Sequence, residues 1–135
     1  MIFEITIQRI VIDKRGNDKS VLERYYVENV ELFGEAEMKG LELYANNADV
    51  VAIKISPILE FINRRISDEQ FLFNAVLESV FIDENEVEKT MRYRVALFAK
   101  NIQEATNIVL NYQKGNTEDM TLIGIRKTKF IDILS

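Results

Sequence analysis

Arg24-Tyr-Tyr-Val27 and Arg92-Tyr-Arg-Val95 are the two stretches on which the fold turns, because the second answers the first. Each precedes a helix-like segment ending in a tyrosine, Tyr44 in one case and Tyr112 in the other. Working outward, Ile53–Lys54 with Leu59-Glu-Phe-Ile62 returns without a gap as Ile125–Arg126 with Ile131-Asp-Ile-Leu134. Upstream, Phe3 and Val11-Ile-Asp13 are echoed by Phe73 and Phe81-Ile-Asp83. Two copies of this length point to a duplicated supersecondary unit; a solenoid needs three or more copies to bury its faces.

Within the first copy, residues 2–13 carry Phe3, Ile5 and Ile7 on one strand phase and Ile10 and Ile12 on the other. That change of phase predicts a bulge near Gln8–Arg9. A polar turn over 13–19 leads to a second strand over 20–31. A helix capped at Gly34 carries Phe33, Ala36, Gly40 and Tyr44 on one stripe and stops at Asn46–Asn47. Residues 50–56 form a third strand that Ser56–Pro57 breaks, since proline cannot donate to a ladder. Leu59–Ile62 reads equally as a short strand or a helical turn.

The second copy repeats the plan, with a strand over 71–83, an acidic turn over 84–88 and a return strand over 89–100. Asn101 and Glu104 have capping-box spacing, and Ile102, Ala105, Ile108, Val109 and Tyr112 make a helical stripe. Residues 115–119 read as a loop and 120–134 as one long, partly irregular strand. The expectation is an α+β fold: a tandem duplication of a ββαβ unit, with two helices on antiparallel sheet related by a pseudo-twofold axis. The repeats span 1–66 and 71–135, joined by 67–70, and one copy hides too little apolar surface to fold alone, so 1–135 is expected to be a single domain.

The order Tyr25–Val27, Phe33-Gly-Glu-Ala-Glu37 and Ile53–Lys54 resembles the uncharacterised family called domain of unknown function 4494. The resemblance spans nearly the whole chain and implies a source among Bacteroides-type bacteria, their mobile elements and phages. Phe3 and Phe71 or Phe73 stand where that pattern has tryptophans. No activity comes with the resemblance, so it transfers no catalytic residue.

Composition narrows the function classes. The chain has 135 residues, of which 47% are hydrophobic, enough for a substantial core. It has no cysteine and no histidine, which removes disulfides, thiolate metal sites and the commonest general base. No apolar run is long enough to cross a bilayer and no signal core follows Met1, so a soluble, cytoplasmic protein with no membrane partner is expected, in the host cytoplasm if phage-encoded. A net charge of −5 disfavours a broad duplex-DNA surface.

Arg24, Arg92 and Arg94 lie beside Tyr25, Tyr26 and Tyr93 on the second strand of each copy, with Lys54 and Arg126 equivalent in the repeat. Arginine forks take phosphate or carboxylate, and tyrosine stacks on a base. Arg24, Tyr26, Lys54, Arg92, Tyr93, Arg94 and Arg126 are therefore the candidate ligand-binding residues. The competing reading pairs these cations across strands with Glu4, Glu23, Glu28 or Glu78. Arg64–Arg65 and Arg126-Lys-Thr-Lys129 could form one basic groove or guard sheet edges.

The acidic turn over 83–88 lacks the glycine and closing glutamate of a calcium loop and reads as a solvated hairpin tip. A carboxylate pair, for example Glu60 and Asp132 at equivalent positions of the repeat, is weighed for catalysis, but two acids on matching strands are more often solvated. No catalytic set, metal site or cofactor is expected. The favoured function is a non-catalytic binding protein, in its concrete form a phage-type sponge for a small anionic, nucleotide-like immune signal. The alternatives are a single-stranded nucleic-acid-binding accessory protein and an adaptor that pairs its sheet edges with another protein. A homo-oligomer is expected under all three.

Overall fold

The computed structural model of the chain describes residues 1–115 and 120–135. Residues 116–119 of the expected loop over 115–119 lie outside the described residues. Ten elements follow in order: β1 (Phe3–Ile12), β2 (Asp18–Val27), α1 (Phe33–Leu43), β3 (Asp49–Ile55), β4 (Ile58–Phe61), β5 (Phe71–Ile82), β6 (Glu88–Ala99), α2 (Ile102–Lys114), β7 (Met120–Lys127) and β8 (Phe130–Leu134). The fold is α+β, with two four-stranded sheets and two helices. Two compact units result: unit 1 holds 1–57 and 129–135, and unit 2 holds 58–128.

Strand order is β3-β1-β2-β8 in unit 1 and β4-β6-β5-β7 in unit 2. The last strand of each repeat thus completes the sheet of the other. β8 lies parallel on β2 and β4 lies parallel on β6, while every other pairing is antiparallel. Leu59–Ile62, undecided between strand and helical turn, falls at β4. The long final strand expected over 120–134 is two strands in two different sheets, separated by Thr128 and Lys129. Ser56–Pro57 does break the third strand, and it marks where the chain leaves one sheet for the next.

The registers of the two sheets match residue for residue. Phe3 pairs with Val27 and Phe73 with Leu97; Thr6 pairs with Arg24 and Val76 with Arg94; Glu4 pairs with Lys54 and Asn74 with Arg126. Arg24 therefore corresponds to Arg94, not to Arg92, and the visual match of the two "RY" stretches is two residues out of register. A slip of two preserves the face on which each side chain stands, which is why the error leaves the periodicity intact.

The bulge also moves. β1 pairs with β2 unbroken from Phe3 to Ile12, and the irregularity lies on the β3 side, between Thr6 and Ile7. Its counterpart falls between Val76 and Leu77, against β7. Ile10 and Ile12 keep the strand's phase and simply face the side away from Phe3, Ile5 and Ile7, where they are exposed.

In unit 1, Phe3, Ile5, Ile7, Tyr25 and Val27 bury one sheet face against Ala36 of α1, with Tyr44, Val50 and Ile53 beside them. Gly40 allows the approach: a Cβ there would lie 2.8 Å from both Ile5 Cδ1 and Val50 Cγ2. The helix is capped at Leu32, two residues before the expected Gly34, and the Glu35 carboxylate accepts the Leu32 N–H at 3.1 Å. It ends as Asn46 donates to the Leu41 carbonyl, with Ala45 and Asn46 at positive φ. In unit 2, Phe73, Ala75, Leu77, Val95 and Leu97 pack on Ala105 and Val109 of α2. Asn101 caps this helix as its spacing predicts, accepting the Glu104 N–H at 2.8 Å.

Residues 67–70, expected as a plain polar joint, are tied in place. Gln70 is buried, its side-chain oxygen accepts the Ile66 N–H at 2.8 Å, and its carbonyl accepts from Arg65 at 2.8 Å.

Candidate functional site

Alternation along β1, β2 and β3 sends Glu4, Thr6, Arg24, Ala52 and Lys54 to the sheet face opposite α1. There they line a pocket of about 240 Å³ whose wall includes Phe130 of β8. Phe130 is brought to Arg24 by the parallel β2–β8 pairing. The pocket holds two cations and one carboxylate. Glu4 is only 13% exposed at its side chain; one oxygen lies 3.5 Å from Lys54 Nζ and the other accepts the Ser56 hydroxyl at 2.7 Å. Lys54 is 73% exposed, so its pairing with Glu4 is weakly held and open to competition from an incoming anion. Arg24 has no ion pair among the described residues.

The seven candidate residues divide between the units. Arg24 and Lys54 meet at the pocket. Tyr26 does not serve as a platform for a base: it is fully buried, stacked on Phe130 with ring centroids 4.0 Å apart and planes 10° apart. In unit 2, Arg92 is bound to Glu78 at 3.0 Å, the cross-strand pair weighed against ligand binding. Tyr93 packs against the core beneath α2. Arg94 and Arg126 share the face of the second sheet that answers the pocket face of the first, and both are exposed. Asn74 takes the place of Glu4 there, Gly124 of Ala52 and Ile58 of Phe130.

Phe130 was missed as a site residue, although it follows the basic run 126–129 directly and matches an apolar residue, Ile58, in the other repeat. Three of the five basic residues expected to form a groove lie over rings: Arg64 over Phe61 at 5.6 Å, Arg65 over Phe98 at 4.8 Å and Lys127 over Phe71 at 3.6 Å. Glu60 and Asp132 belong to different units; Glu60 accepts the Tyr112 hydroxyl and Asp132 accepts the Ile133 N–H at 2.9 Å.

A second polar cluster was not anticipated. On the α1 side of unit 1, one oxygen of Glu23 accepts from Arg9 Nε at 2.6 Å and from the Tyr44 hydroxyl at 2.7 Å. Tyr44 gives its proton to Glu23, so at 3.2 Å the Tyr25 hydroxyl donates to Tyr44. Arg9 also lies over the Tyr44 ring at 4.6 Å. Burial pushes the Glu23 carboxyl up, but Arg9 and Tyr44 outweigh it and the net shift is below the usual carboxylate range. Burial, with the bond to Tyr44, raises the Tyr25 phenol. A carboxylate held ionised by an arginine and a tyrosine is a structural tie, not a base poised near neutrality. The signal in sequence was Arg9 diagonal to Glu23 across a hairpin, with Arg9 opposite Val21 and Glu23 opposite Ile7, which becomes readable only with the β1–β2 register.

Among the described residues no group of acidic side chains could hold a metal ion. Their helices include none long and apolar enough to cross a membrane.

Fold and site together define an α+β protein with two four-stranded sheets of matching register, two helices and a small cationic pocket in unit 1. The chain belongs to the family described as domain of unknown function DUF4494, whose model matches residues 1–135. No curated protein and no solved structure matches it.

Proposed function

We propose that this protein is a non-catalytic binder of a small anionic, nucleotide-like ligand, seated in the pocket of unit 1. The observation that carries this reading is the convergence of Arg24 and Lys54 on one pocket walled by Phe130. Arg24 presents a fork matched to phosphate or carboxylate, and Lys54 can exchange Glu4 for the ligand. Phe130 and Ala52 supply apolar surface for a ring. A volume of about 240 Å³ falls below the roughly 300–1,000 Å³ of pockets that enclose drug-sized ligands, so it suits one phosphate and part of a nucleoside. In its most specific form the protein sequesters a signalling nucleotide by burial, without chemistry.

Native mass spectrometry and calorimetry with mononucleotides, cyclic dinucleotides and inorganic phosphate test this reading. Binding that is lost in Arg24→Ala and kept in Arg92→Ala is the expected result. A wild-type protein that takes up none of these probes overturns it.

A further inference from the structure

The hairpins β1–β2 and β5–β6 both outrun their sheets. β3 follows β1 only as far as Gln8, and β8 follows β2 only over Arg24–Val27. Residues 9–23 therefore form a two-stranded arm whose outer edges have no partner strand among the described residues. In unit 2, β7 follows β5 to Ser79 and the β4 ladder on β6 runs from Arg94, so among the described residues 80–93 form the equivalent arm.

Each arm exposes apolar side chains on the face that continues the pocket face. Ile10 is 69%, Ile12 75% and Leu22 66% exposed; Val80 and Ile82, which match Ile10 and Ile12, are 51% and 71% exposed, while Arg92 stands where Leu22 does. A solvated ribbon has no need of β-branched residues at those places in both copies, and open edges with apolar faces invite strand pairing.

The tips differ in charge. Residues 13–19 carry Lys14, Arg15 and Lys19 against Asp13 and Asp18, a net of +1. Residues 83–89 carry Asp83, Glu84, Glu86 and Glu88 against Lys89, a net of −3. Asp13 and Asp83 are occupied alike, each accepting backbone N–H groups of its own turn. Of the remaining charges, Lys14 and Arg15 stand in the first turn and Glu84 and Glu86 in the second, while Asp18, Lys19 and Glu88 stand at the starts of β2 and β6.

We infer that the arm over residues 9–23 docks on the arm over residues 80–93 of a second copy of this chain. The apolar faces supply the buried surface, and the opposite tips set the pairing, since like tips repel. The contact is heterologous: basic arm to acidic arm. It is independent of the pocket and stands or falls without it.

Sedimentation velocity on the full chain tests the inference with three proteins. Wild type is expected to self-associate, and more weakly in high salt. The double variant K14E/R15E, altered only at exposed turn positions, is expected to be monomeric. Adding E84K/E86K to it reverses both tips and is expected to restore association. A wild-type monomer at every accessible concentration overturns the inference, as does an oligomer that K14E/R15E leaves intact.

Discussion

Glu86 stands at φ 61° in the hairpin position that Gly16 occupies at φ 80°. The two turns are otherwise the same. Asp13 and Asp83 each accept the N–H three residues on, Gly16 at 3.1 Å and Glu86 at 3.0 Å, and each donates to the carbonyl of Asn17 or Val87. This is a type I turn closed by a residue in the left-handed region, where glycine is at ease and a side chain is crowded. Glu86→Gly is expected to stabilise the protein by about 1 kcal/mol and Gly16→Ala to destabilise it by a similar amount. Urea unfolding of the two variants against wild type checks both signs.

The Arg9–Glu23–Tyr44–Tyr25 chain predicts a dependence on pH at both ends of the scale. The Glu23 carboxyl is held below its ordinary value of 4.5, so its stabilisation is present above that pH and is lost as pH falls through the folded-state value. Tyr25 is held above its ordinary value of 10.0, so its contribution is present below pH 10.0 and lost as pH rises beyond it. Glu23→Gln is expected to be less stable than wild type at pH 7, with the gap closing in acid. Tyr25→Phe is expected to flatten the alkaline fall. Denaturant titrations across pH check each limb; a Glu23→Gln gap that stays constant into acid removes Glu23 from the acid response.

Much of this architecture is legible in the residues, and the failures share one cause. Strand positions, the Asn101 cap, the α2 stripe and the duplication itself depend on local periodicity, which the chain carries plainly. Exchange of β4 and β8 does not. Ile58–Phe61 and Phe130–Leu134 are short apolar runs, and nothing within them states which sheet they will join. The same holds for Ile10 and Ile12, read as a change of strand phase when they are exposed residues on an unbroken strand. Of the candidate site, Arg24 and Lys54 share a register that repeat alignment can reach. Tyr26 failed as a ligand contact because its partner, Phe130, arrives from residues more than a hundred positions away.

The stack of Tyr26 on Phe130 fastens β8 to unit 1. Ending the chain after Thr128 removes β8, strips Phe130 from buried Tyr26 and opens the edge of β2 over Arg24–Val27. Hydrogen exchange is expected to show lost protection in β1 and β2, while the β5–β6 ladder stays protected. Phe130→Ala is the milder form and is expected to cost about 3 kcal/mol, the low end for removing a packed phenyl ring. Uniform loss of protection across both hairpins in the truncated chain would mean that the two units unfold as one.

Glu4 and Asn74 occupy the same register position in the two sheets, and the difference between them predicts how the pocket answers charge. Glu4 is the single carboxylate lining the pocket and holds Lys54 at 3.5 Å. Glu4→Gln keeps an acceptor for the Ser56 hydroxyl while releasing Lys54, so the pocket gains a full positive charge. One unit charge at about 6 Å in a partly solvated site is worth roughly 1 kcal/mol, a few-fold in affinity. Calorimetry is therefore expected to show Glu4→Gln binding a mononucleotide a few-fold more tightly than wild type, with a steeper loss of affinity as salt rises. Lys54→Ala, which leaves Glu4 facing the anion without its counterion, is expected to move affinity the other way by a larger factor. Equal affinities in the three proteins would place the anion elsewhere, since no ligand phosphate could sit between Arg24 and Lys54 without sensing Glu4.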